Sequence, residues 1–177
     1  MITVDRHTSA LLLVDFQARL MPAIEDGAAA IANARRLLDA AIMFNVPALI
    51  TEENPAGLGK TAPELGQAGV PVFHKMSFDA CRMPDFQASL PDRRDLVVAG
   101  CETHVCVLQT VLGLIDAGRH VYLVRDAVGS RRAESKETAI RRMERHGAEI
   151  VTTEMVIFEW LGTADGPRFR DALRLVR

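Results

Sequence analysis

Apolar residues in this chain fall into two kinds of run that alternate from one end to the other. Short continuous runs, rich in Val, Leu and Ile, recur at residues 10–15, 45–51, 70–74, 96–99, 119–125 and 148–152. Uninterrupted apolar character over so few residues predicts strands covered on both faces, as in a parallel sheet. Between them the spacing becomes helical. Ala30, Ile31, Ala34, Leu37, Leu38 and Ala41 line one face of Gly27–Phe44, and Val105, Leu108, Leu112 and Ile115 line one face of a second helix that Gly118 closes. A third helix is predicted over 135–147, short ones near 63–67 and 84–90, and terminal ones over 154–161 and 166–177. Strands separated by helices predict one α/β domain over 1–177: a three-layer α/β/α doubly wound sheet of about six parallel strands in the order 3-2-1-4-5-6.

In such a sheet ligands collect at the carboxyl ends of the strands, beside the point where strand order reverses. Three chemically capable residues fall there: Asp15 at the end of the first strand, Lys75 at the end of the third and Cys106 just after the fourth. Each has a plainer role alone, as turn cap, solvated strand-end charge and small buried hydrophobe respectively. Together they match a mechanism, since a carboxylate beside a thiol can take its proton and an ammonium keeps that carboxylate ionised. Residues 100–103 form a tight strand-to-helix turn in which Thr103 is expected to act as N-cap. Cys106 then falls in the first helical turn, where unpaired N–H groups and the helix dipole favour a thiolate.

Composition narrows the setting. The chain has 177 residues, 49% of them hydrophobic, and a formal net charge of −2 with both signs interspersed. Nothing in that balance points to a nucleic-acid or membrane partner. No signal-peptide pattern or bilayer-length apolar run is present, and three cysteines without a CxxC pair fit a reducing compartment, so a cytoplasmic protein is expected. A small-molecule substrate is the expected partner.

Three segments, LLLVDFQ over 11–17, HKMSFD over 74–79 and AGCETHVCVLQT over 99–110, resemble the signature segments of the isochorismatase-like cysteine hydrolases. DAVGSR over 126–131 and GAEIVTTEM over 147–155 extend the likeness along nearly the whole chain. The resemblance implies that Asp15 is the base, Lys75 the supporting cation and Cys106 the nucleophile. It also implies a cis peptide between Cys101 and Glu102, aiming the Glu102 N–H beside that of Cys106 as an oxyanion hole. Members that bind a metal carry an Asp-x-His type cluster after the second strand. Here that loop contains Glu52, Glu53 and Asn54 but no histidine, so the chain resembles the metal-free branch typified by isochorismatase domain-containing proteins, and no cofactor or metal is expected. The cysteine favours hydrolysis of an amide or related C–N bond through an acyl-enzyme. Vinyl-ether hydrolysis of the isochorismatase type and a non-catalytic binding or scaffold role stay open as alternatives.

Around this centre, Phe16, Gln17, Asn54, Phe78, Glu102 and His104 are candidate pocket residues by their proximity in sequence. Phe16 and Phe78 could equally be plain core, and Glu102 and His104 a helix-start charge and a solvated residue. A reversible disulfide between Cys101 and Cys106 is a further alternative that five residues of tight turn disfavour. Trp160 belongs to the core or to a subunit interface, and family members commonly assemble, so a homo-oligomer is expected.

Overall fold

The computed structural model describes residues 2–66 and 69–177. Six strands, β1 (Ser9–Val14), β2 (Ala48–Glu53), β3 (Val72–Lys75), β4 (Asp95–Cys101), β5 (His120–Gly129) and β6 (Glu149–Val151), form one sheet in the order β3-β2-β1-β4-β5-β6. Every neighbouring pair is parallel, as the strand–helix alternation predicts.

The continuous apolar strands have a direct explanation in the packing. Leu11 and Leu13 of β1, with Val97, Ala99 and Cys101 of β4, face a core made with α1 (Gly27–Phe44), α6 (Thr153–Leu161) and α7 (Phe169–Leu175). The alternate residues Ala10, Leu12, Val14, Leu96 and Val98 face a second core with α3 (Phe86–Ser89), α4 (Leu108–Asp116) and α5 (Ala133–Arg145). Side chains of successive strand residues point to opposite faces, so a sheet buried on both sides needs an apolar residue at every position. We call these the α1 face and the α4 face.

Several boundaries differ from the sequence expectation for local reasons. β2 starts at Ala48 rather than 45, because Asn45 ends α1 in the left-handed conformation with its N–H on the carbonyls of Ala41 and Ile42. It runs on to Glu53 because β3 continues to pair with it as far as Lys75. β1 stops at Val14, leaving Asp15 just beyond it at φ 54°, a region Asp tolerates better than most residues. The loop after β2 contains a single helical turn, α2 (Pro55–Leu58), capped by the Asn54 side chain accepting from the Gly57 N–H. Residues 63–65 form a turn instead of the expected helix, whose last residue, Gln67, lies outside the described residues. β5 extends to Gly129, absorbing most of the DAVGSR segment.

The turn after β4 departs most from expectation. It enters a π-helical turn (Thr103–Val107) before α4 begins at Leu108. Glu102 occupies the N-cap position, with no side-chain cap. Thr103 therefore does not cap the helix; its hydroxyl is buried and has no hydrogen-bond partner among the described residues. Gly100 makes the turn possible, since a Cβ there would lie 2.4 Å from the Val14 carbonyl oxygen and 3.0 Å from Val107.

Candidate active site

β1 and β4 are the central neighbours at which the sheet reverses its order, and the segments leaving their carboxyl ends bound the crevice. Asp15 leaves β1 and is fully buried. Its carboxylate takes two short hydrogen bonds, from the Thr51 hydroxyl at 2.6 Å on Oδ1 and from the Lys75 ammonium at 2.6 Å on Oδ2. Lys75 starts two strands away on β3, a separation of about 10 Å in a parallel sheet, and only a long side chain spans it. Its ammonium also donates to the Ser77 carbonyl at 3.1 Å, and neither side chain of the Asp15–Lys75 pair is exposed. A buried ion pair of this kind is retained only where further hydrogen bonds satisfy it, which Thr51 and Ser77 do.

Cys106 lies on the α4 face of the sheet and hydrogen-bonds the Asp15 side chain. Burial pushes its thiol well above the ordinary range, the Asp15 charge pushes it further, and Lys75 only partly opposes them. The pull toward a thiolate expected from a helix N-terminus is therefore outweighed, and the thiol form is favoured. The physical reason is that Cys106 sits inside the π-turn and out of water, where desolvation outweighs the backbone dipole. The Cys101–Glu102 peptide is cis.

The remaining candidates divide. Phe16 is fully buried in the α1-face core, so it packs the fold rather than walling a pocket. Gln17, also fully buried, clamps the loop after β2: its amide donates to the carbonyls of Glu53 and Gly59 and accepts from the Glu53 N–H. All of its reach is spent on backbone. Glu102, at the N-cap of the π-turn, turns its carboxylate to Arg131, accepting from the backbone N–H and the guanidinium at 3.0 Å each. His104 meets Ser130 through Nδ1 at 3.0 Å and lines a cleft of about 360 Å³ with Arg131, Arg132 and Ser135. Phe78 is half exposed. Asn54, Pro55 and Ala56 face His74, Lys75 and Met76 across a cleft of about 340 Å³.

Sequence reasoning missed Thr51. The signal was available only through the register, which sets Thr51 beside Val14 and thus next to Asp15. Glu52 accepts from the Thr61 N–H and hydroxyl and pairs with His74 at 3.1 Å. Among the described residues no group of three or more His, Cys, Asp or Glu is arranged to hold a metal ion. Cys101 and Cys106 are both free and occupy opposite faces of the sheet, which removes the geometry a disulfide between them needs. Trp160 is buried in the α1-face core with its indole N–H on Ser9, so it serves no subunit interface. No helix among the described residues is long and apolar enough to cross a membrane.

Comparison with known proteins covers almost the whole chain. The isochorismatase domain profile matches residues 9–155. Isochorismatase domain-containing protein 2 of Xenopus laevis is 35% identical over 175 residues, covering 98% of this chain and 85% of the relative. Among solved structures, one described as a MAR1 ribonuclease from Caenorhabditis elegans has a TM-score of 0.93 at 34% identity, covering 98% of this chain and 92% of the other. The ycaC gene product of Escherichia coli, described as an octameric hydrolase of unknown specificity, has a TM-score of 0.87 at 27% identity, covering 99% and 88%.

Proposed function

This chain belongs to the isochorismatase family, and from that premise we propose that it is a cysteine-dependent hydrolase of a small molecule carrying an amide or related C–N bond. The observation that carries the reading is the Cys106 thiol beside the buried Asp15 carboxylate, which accepts hydrogen bonds from Lys75 and Thr51. A thiol with a raised proton affinity needs a base at the moment of attack, and Asp15 is in contact with it.

The cycle balances with these residues alone. Asp15 takes the thiol proton as the Cys106 sulfur attacks the carbonyl carbon, and the backbone N–H groups of Glu102 and Cys106 hold the tetrahedral oxyanion. Protonated Asp15 gives that proton to the departing ammonia or amine as the C–N bond breaks, leaving a thioester. Water then attacks the thioester with Asp15 again as base, and the proton returns to the sulfur as the acid leaves. Lys75 serves throughout as the supporting cation, its ammonium hydrogen-bonded to the Asp15 carboxylate.

The protein acts in the cytoplasm, where its three free thiols stay reduced, and as a homo-oligomer. The octameric description of the E. coli relative supports assembly, as do exposed Val72, Met76 and Phe78 along edge strand β3 and the segment after it. Sedimentation analysis of the purified protein tests it, and a monomer at micromolar concentration overturns it.

The deciding experiment is ammonia release from a panel of small primary amides by the wild type and Cys106→Ser. Loss of at least about a thousandfold in turnover, near 4 kcal/mol of barrier, is expected in the variant with its unfolding midpoint unchanged. Equal turnover by both proteins overturns the mechanism.

A further inference from the structure

The register of β2 and β3 sets two charged pairs side by side, Glu52 with His74 and Glu53 with Lys75. Neighbouring residues on parallel strands share a face, and the next pair takes the opposite one. Glu52 and His74 are joined at 3.1 Å. Glu53 and Lys75 therefore share the other face, on which Phe73 packs toward the α4-side core and Cys106 lies. The Lys75 ammonium does not turn to Glu53; it is spent on Asp15 and Ser77. Glu53 has no hydrogen bond to its carboxylate and no ion pair among the described residues, although its backbone is held at both ends by Gln17. Asp15 takes the Lys75 ammonium, so Glu53 is the acidic side chain beside that pair held by no hydrogen bond or ion pair among the described residues.

Electrostatics agree with this placement. Burial pushes the Glu53 carboxyl above its ordinary value, Lys75 pulls it down and Asp15 pushes it up, and Glu53 in turn is among the charges that raise Cys106. The adjoining cleft, which Lys75 lines, offers Met76 and Met83 as apolar wall. A short alkyl stem fits such a wall, with its charged end toward the carboxylate.

We propose that Glu53 determines specificity at this site, selecting small amides that carry an ammonium or other N–H-rich cationic group near the carbonyl and rejecting anionic ones. This rests on the hydrolase reading above and narrows its substrate class. The carboxylate supplies an acceptor for the cationic N–H donors, and its field falls off too slowly to leave an anion unaffected a few ångströms away.

Two measurements test it, both in the presence of a chelator so that no metal ion answers for the carboxylate. The first compares Cys106 modification by the cationic aminoethyl and anionic sulfonatoethyl methanethiosulfonates, with peptide mapping to separate it from Cys81. The cation-to-anion rate ratio is expected to exceed one in the wild type and to fall roughly tenfold or more in Glu53→Gln, with Glu53→Asp restoring most of it. The second compares kcat/KM for β-alaninamide, butyramide and succinamate, which differ mainly in terminal charge. The expected order is cation, neutral, anion, compressed toward equality in Glu53→Gln. An unchanged reagent ratio in Glu53→Gln overturns this inference while amide turnover leaves the hydrolase reading standing. A ratio that collapses with no amide hydrolysed by the wild type keeps Glu53 as the selecting charge and removes the hydrolase.

Discussion

The two ends of the sheet carry nearly the same chemical parts in different solvents. At the amino ends, Asp95 accepts from the Thr8 hydroxyl at 2.7 Å, and His120 lies between Asp95 at 3.3 Å and Glu149 at 2.8 Å. At the carboxyl ends, Asp15 accepts from the Thr51 hydroxyl and from Lys75, both at 2.6 Å. Each arrangement joins a threonine, an aspartate and a nitrogen-bearing side chain across neighbouring strands. They differ in exposure: the His120 and Glu149 side chains are 29% and 44% exposed, whereas those of Asp15 and Lys75 are at zero. Water reaches the His120–Glu149 side of the first network, so that contact is worth little, although the Asp95 side chain is only 12% exposed. Excluding water from the second makes each charge dependent on its partner and leaves the thiol against an unscreened carboxylate. The lesson is that burial, more than the identity of the residues, separates a structural latch from the site proposed to move a proton.

Removing the nitrogen-bearing side chain at each end gives the largest contrast. Lys75→Met strands a buried carboxylate and is expected to cost about 3–5 kcal/mol in urea unfolding, while His120→Gln costs about 1 kcal/mol or less. Similar losses at the two ends would break the comparison. The hydroxyls sharpen it further. Thr51→Val removes a donor from a buried carboxylate and should cost roughly 1.5–3 kcal/mol, against a few tenths to about 1 kcal/mol for Thr8→Val at the wet end.

The smallest effect separates electrostatics from chemistry. Because the Asp15 charge is the second-largest cause holding the Cys106 proton, Asp15→Asn should move the pH profile of Cys106 alkylation by iodoacetamide to lower pH, by roughly one unit. Alkylation in the wild type should keep rising above pH 9. Amide hydrolysis should fall in the same variant, since its base is gone. A profile that does not move, or moves upward, would show that Asp15 does not set the state of the thiol.

Much of this was legible before any coordinates. The strand runs needed apolar residues on both faces, and that pattern specified a parallel sheet with helices on either side; the common doubly wound order, which the structure has, then put a crevice after β1 and β4. Asp15, Lys75 and Cys106 could be picked out because each ends or follows a strand at that rim. Family motifs then placed them in one chemistry.

What the chain pattern left open was decided by contacts between residues far apart in sequence. Thr51 became the partner of Asp15 through the β1–β2 register, and Glu53 was separated from Glu52 by which face of β2 each occupies. Gln17 and Glu102, placed at the site by proximity, were drawn away by backbone groups and by Arg131. The state of the Cys106 proton likewise turned on burial, a property of the packed turn and not of the residue. Periodicity is a local property and determines which elements form. Desolvation and register are collective properties, and they determine which of the polar residues delivered to the rim hold the fold and which are left to act.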